Sequence, residues 1–261
     1  MFYRIPVRRV VAASMLALLG ACVENPLDVG NQNNPDVDRV YASPVNVETT
    51  VSQLFKNMYN GQFGSADDIW TQSLSMSFES HSQLGNFGMG TRAAIPRNPI
   101  DNSIGNTVNV GNFRDFDFLS RNAKSAANTI AAMNGFAAIN KSIGSPARDA
   151  KAKSFAYFAL GYALGNLAML YDSAAIISPT QASDEIPPFS GHADVAVAAL
   201  ANLDSAIAIA QSANAAVGAN GWPIPTDWLS TTATVSQDTW IRTLRSYKAK
   251  FRAGVARNAT E

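Results

Sequence analysis

The sequence predicts an all-α protein behind an export signal, its helices paired and separated by long irregular loops. Three observations predict it. Apolar residues recur at intervals of three and four in five separate stretches, the period of one helix face. No run alternates apolar and polar residues over strand length. Proline, glycine and asparagine gather between the apolar stripes, where chain reversals need them.

The chain begins with Arg4, Arg8 and Arg9 ahead of a short apolar run, Val10 to Leu19, which ends in Leu19-Gly20-Ala21-Cys22. That run is too short to span a bilayer and has the flanks of a secretory signal. Small residues at Gly20 and Ala21 let the backbone lie extended in a peptidase groove, and the Cys22 thiol is the side chain there able to take a thioether-linked lipid. Residues 1–21 therefore read as a lipoprotein signal peptide, with Cys22 the lipidated first residue of the mature chain. The competing reading is an ordinary secretory signal with a chance cysteine; charge, length and small residues all favour the lipidated one. Cys22 is the only cysteine in 261 residues, so lipidation leaves no thiol for a disulfide, a redox pair or a cysteine metal site. An anchor of several acyl chains would attach the protein stably, and no later stretch reads as long and apolar enough to span a membrane.

Residues 22–39 are polar, with two prolines and four asparagines, and read as a tether. The helical domain is expected over 40–261. Ser43-Pro44 reads as a cap followed by proline in the first turn of a helix carrying Val47, Val51, Leu54, Phe55 and Met58. Residues 60–112 read as long loops with one short helix near Asp67 to Phe78, the kind of extended irregular region that is usually functional. A second helix is expected over Phe116 to Met133, and a third from Ser145-Pro146 to about Tyr171. After a proline-containing loop over 172–189 comes an alanine-rich helix, His192 to Gln211. A loop from Ser212 to Gln237 then leads to a last helix with Trp240, Leu244, Tyr247, Phe251 and Val255 in one stripe. Alanine on the apolar faces permits close approach of helices. The helices share no fixed period, so they resemble tetratricopeptide-like pairs with insertions rather than a regular array.

The 20 basic and 20 acidic residues, less the three signal arginines, leave a mature chain of 17 and 20, near neutrality. Charged residues are only 15% of the whole. Such a balance argues against an electrostatic nucleic-acid binder.

Three stretches carry a family resemblance. Ala150 to Tyr162 (AKAKSFAYFALGY), continued by Leu164 to Asp172 (LGNLAMLYD), is similar to the central helix of SusD/RagB-type lipoproteins. Pro188 to His192 followed by Ala199 to Ile207 resembles the next helix of that family, and Trp240 to Arg252 (WIRTLRSYKAKFR) the one after it. Order and relative spacing agree as well. The resemblance implies a non-enzymatic outer-membrane lipoprotein, surface-exposed, that captures glycans or peptides and passes them to a SusC-like TonB-dependent transporter. It implies a fold of tetratricopeptide-like pairs whose long loops build the ligand surface. Chains of the family usually continue beyond the helix ending near residue 257, so the resemblance covers the N-terminal part of the family fold. Glu24, close to Cys22, is compatible with surface export.

Sugars are held by flat aromatic faces together with polar groups that satisfy hydroxyls. Trp70, Trp222 and Trp228 lie in expected loops and are the aromatic candidates; Asp67, Asp68, Asn86 and Arg92 are the polar ones. The competing reading has the tryptophans pinning loops to the core, since tryptophan is highly buried on average. Trp240, inside a helical stripe, reads as core. His81 and His192 have no ligand at metal spacing. Asp67-Asp68 and Asp184-Glu185 read as solvated loop charge rather than a catalytic carboxylate pair. The Arg242, Arg245, Lys248, Lys250, Arg252 series reads as the wet face of a helix. No catalytic residue, metal or cofactor is expected. The alternative to ligand capture is a lipid-anchored helical adaptor that binds another envelope protein.

Overall fold

The computed structural model describes residues 37–258, apart from 64–73, 82–88, 97–100, 107–109, 218–221 and single positions 102, 104 and 183. The described part is built of seven helices: α1 (Val37–Tyr41), α2 (Pro44–Phe63), α3 (Met89–Arg92), α4 (Val110–Ala138), α5 (Pro146–Leu170), α6 (His192–Val217) and α7 (Gln237–Gly254). The all-α expectation holds. Short capping signals set the starts. Ser145 accepts a hydrogen bond from the Arg148 amide, with Pro146 in the first turn, and Ser236 does the same for Thr239.

Consecutive long helices lie against one another: α2 on α4, α4 on α5, α5 on α6, and α6 on α7. The most extensive of these interfaces is α5 with α6, as the pairing of helical hairpins requires. Helix α5 is the centre. Every residue from Phe158 to Ala168 is buried, so its apolar surface runs all round rather than down one stripe. Two glycines one turn apart make that possible. A methyl at Gly161 would come within 2.9 Å of the Leu203 side chain of α6, and one at Gly165 within 2.5 Å of the Phe251 ring of α7. The α6 and α7 side chains thus close directly onto the α5 backbone.

A buried polar link ties the same three helices. Trp240 Nε1 donates to Ser154 Oγ at 2.9 Å, and Ser154 Oγ donates to the Ala206 carbonyl at 2.8 Å. Around it, Phe155 stacks on Trp240 with ring centres 5.5 Å apart, and Phe158 meets Trp240 edge-on at 5.1 Å.

Helix α1 begins inside the expected 22–39 tether and α6 runs to Val217, past the expected Gln211; three further features depart from expectation. A two-stranded antiparallel ladder, β1 (Ser173–Ala175) with β2 (Phe189–Gly191), closes the loop between α5 and α6. At three residues each, these strands are shorter than any alternation can register. Helix α4 starts at Val110, six residues before the expected Phe116, carrying through Gly111 and Asn112. The third is a correction: His192–Ser212 is long and apolar enough to cross a membrane, with mean hydropathy 1.6. Valine, leucine and isoleucine together with alanine supply that value, and Val195, Ala199, Leu203, Ala206 and Ala210 of this stretch are buried within the helical core.

Candidate functional site

Of the residues singled out in the sequence, Cys22, Asp67, Asp68, Trp70 and Asn86 lie outside the described residues. Trp222, Trp228 and Arg92 are 5%, 1% and 4% exposed. The two tryptophans therefore offer no ring face to a ligand, which corrects the binding role expected of them. The reason is local. A 3-10 turn, Thr226–Trp228, follows Pro225 and swings Trp228 inward against Phe155 at 5.9 Å, with the Arg148 guanidinium 5.9 Å from its ring centre. A bridge between Ile224 and Val235 closes the same loop. Trp222 and Trp228 pin the segment 222–236 to the core, as the competing reading had it.

Arg92 is also no surface ligand for a sugar. It is buried with Asp115, which is 3% exposed, and both act on Tyr171 at the end of α5. Burial holds the Tyr171 phenol well above its ordinary range; the Asp115 carboxylate pushes the same way and the Arg92 cation opposes it. Opposite charges buried together compensate one another where either alone would be costly. Phe116 stands edge-on to Tyr171 at 5.0 Å, and the half-exposed ring of Phe189 lies 5.8 Å from Phe116. In this cluster the exposed ring of Phe189 meets solvent close to buried charge.

From there the 172–191 segment runs along α4. The Lys124 ammonium donates to the main-chain carbonyls of Ala182 and Glu185, both at 3.0 Å, and straps the segment down. At the far end lies a groove of about 260 Å³, lined by Val37, Asp38, Tyr41, Asn128, Ala132 and Gln181 among others. Its walls are held by their own bonds. The Tyr41 hydroxyl donates to the Ser125 carbonyl at 3.2 Å. Gln181 accepts from the Ser178 amide at 2.9 Å and donates to the Ile176 carbonyl at 3.3 Å. The Asp38 carboxylate and the Asn128 amide make no side-chain hydrogen bond among the described residues. Phe116 and Asn128 are 12 positions apart on α4, about 18 Å along the axis. The strip from Phe189 to the groove is the candidate site.

Sequence reasoning missed these residues. Tyr41, Asn128 and Gln181 carry no motif, and three separate segments bring them together. Phe189 had a usable signal: it follows Pro187-Pro188, which places it outside any helical stripe.

Among the described residues, no three histidine, aspartate or glutamate side chains gather to hold a metal. Asp184 and Glu185 are exposed on the strapped segment, and Glu185 turns back on the Ala182 amide at 3.4 Å. His81 is exposed, and His192 opens α6, its amide on the Asp172 carbonyl at 3.0 Å. A second, smaller cavity of about 130 Å³ lies between the end of α4 and the start of α5, with Phe136 and Ile143 in its floor and Lys141 and Lys153 lining it.

No protein-family model, no curated protein and no solved structure matches the chain.

Proposed function

We propose that this chain is a lipid-anchored outer-membrane protein that captures an oligosaccharide or peptide and delivers it to a SusC-like TonB-dependent transporter, without bond chemistry of its own. One observation carries the reading. The three stretches that resemble SusD/RagB-type lipoproteins are α5, α6 and α7, and they pack consecutively through Gly161 and Gly165. The lipidation signal ending at Cys22 supplies the anchor. The strip along α4, with an exposed aromatic and unspent polar groups, supplies a surface for an extended ligand.

The adaptor reading also has an observation in its favour. The outward face of α6 exposes Val197 at 67%, and Trp222 and Trp228 are buried. A protein partner would use such a face; a sugar would not. Affinity purification of the full chain from native envelopes separates the two. Capture predicts a barrel transporter in the eluate and saturable binding of an oligosaccharide or peptide. The adaptor predicts a different envelope protein and flat titrations with both ligand classes.

A further inference from the structure

We propose that the groove between α1, α4 and the 176–182 segment holds one uncharged sugar ring of the captured ligand. The proposal rests on the capture reading and names its substrate class. Size is the first reason. At about 260 Å³ the groove falls just short of the roughly 300–1,000 Å³ typical of pockets for larger ligands, which suits one ring of an oligosaccharide whose neighbouring rings continue along the open surface.

Chemistry is the second. Tyr41 and Gln181 spend their hydrogen bonds on the protein, which sets the walls before a ligand arrives. Asn128 and Asp38 keep theirs. An amide offers two donors and an acceptor oxygen, and a carboxylate offers acceptors only. Together they match ring hydroxyls, each of which both donates and accepts. Val37, Ala131, Ala132 and the Tyr41 ring give the apolar surface that the C–H face of a pyranose requires.

Charge is the third. Among the described residues no lysine or arginine lines the groove. Lys124, one turn from Asn128 on α4, is committed to the Ala182 and Glu185 carbonyls. Asp38 therefore faces the ligand without a compensating cation in the lining, and uronate or phosphorylated rings are disfavoured relative to neutral ones.

The test is calorimetric titration of the full chain in detergent with gluco-, manno- and xylo-oligosaccharides, with oligogalacturonate as the anionic comparison. A neutral oligosaccharide should bind saturably and more tightly than oligogalacturonate. Asn128→Ala and Asp38→Asn should each weaken it about three- to tenfold, the effect of one or two hydrogen bonds. Asp38→Asn should also narrow the discrimination against oligogalacturonate. Lys153→Ala, in the smaller cavity, should change nothing. Neutral binding that survives both groove variants unweakened, with helical circular dichroism intact, overturns the site while leaving capture standing. Tighter binding of oligogalacturonate, or of peptides alone, overturns the sugar assignment. If neither oligosaccharide nor peptide binds and no transporter co-purifies, the capture reading falls with it.

Discussion

A methyl group at Gly165 would press into three atoms of the Phe251 ring at 2.5 to 2.6 Å, whereas one at Gly135 would meet nothing within 4 Å. Both glycines sit inside helices, so Ala should gain by intrinsic propensity, about 0.5–1 kcal/mol. At Gly135 that gain stands alone, and Gly135→Ala should raise the melting temperature. At Gly165 overpacking costs about 1–3 kcal/mol and wins, so Gly165→Ala should lower it by several degrees. Thermal denaturation of the two variants side by side checks both signs; equal shifts would refute the packing of α7 on α5. Asn122 is a different case. It is 1% exposed, and its amide nitrogen and oxygen find no partner among the described residues. A buried unsatisfied amide costs about 1–3 kcal/mol, so Asn122→Leu should leave stability unchanged or improve it. A large loss would mean that the amide has a role in holding α4. None of this was legible in the sequence, because a glycine or asparagine in a helical stripe looks the same whether a ring or solvent lies opposite.

Helix positions were legible where capping chemistry is local. Ser43-Pro44, Ser145-Pro146 and Gly191-His192 each precede a helix at the position their residue types require. Loop packing was not. Periodicity stops where helices stop, so it could not tell that Trp228 turns inward at a 3-10 turn or that Phe189 is left outside on a strand of three residues. The strap illustrates the same limit: Lys124 reaches carbonyls 58 and 61 positions away. Replacing it by methionine keeps the length and apolar stem while removing the donors. Lys124→Met should speed amide hydrogen exchange across 176–188 with little change in global melting. Unchanged exchange there would show that the β1–β2 ladder alone holds the segment. For an expected surface site, this difference between rigid helices and a strapped loop also explains why Trp222 and Trp228 lie in the core while the groove residues, drawn from three segments, went unnoticed.

The whole molecule carries a pH limit. Tyr162 is buried and Tyr171 largely so, and burial first, then the neighbouring Tyr247 and Asp115 respectively, raises both phenols above the ordinary 10.0. The folded chain therefore keeps protons that the unfolded chain releases above pH 10.0. Their contribution is complete below that value and is lost as pH rises beyond it. Helical circular dichroism and tyrosinate absorbance should change together in one alkaline transition; early ionisation of a folded chain would contradict the burial of these rings. Anchoring is the other property at this scale. If Cys22 is lipidated, Cys22→Ser should move the chain from the membrane fraction to the soluble one, and retention in the membrane would point to another attachment.

The strap on the 176–188 segment has one more consequence. Lys124 grips main-chain oxygens, which every amino acid supplies, and not side chains. The segment's sequence is thus decoupled from the bond that holds it. Mutational drift, or a randomised library, can run through its exposed positions such as Asp184 and Ile186 without loosening the anchor point. The border of the groove is in this sense an evolvable edge on a fixed frame, able to change its preference while the helices beneath it stay as they are.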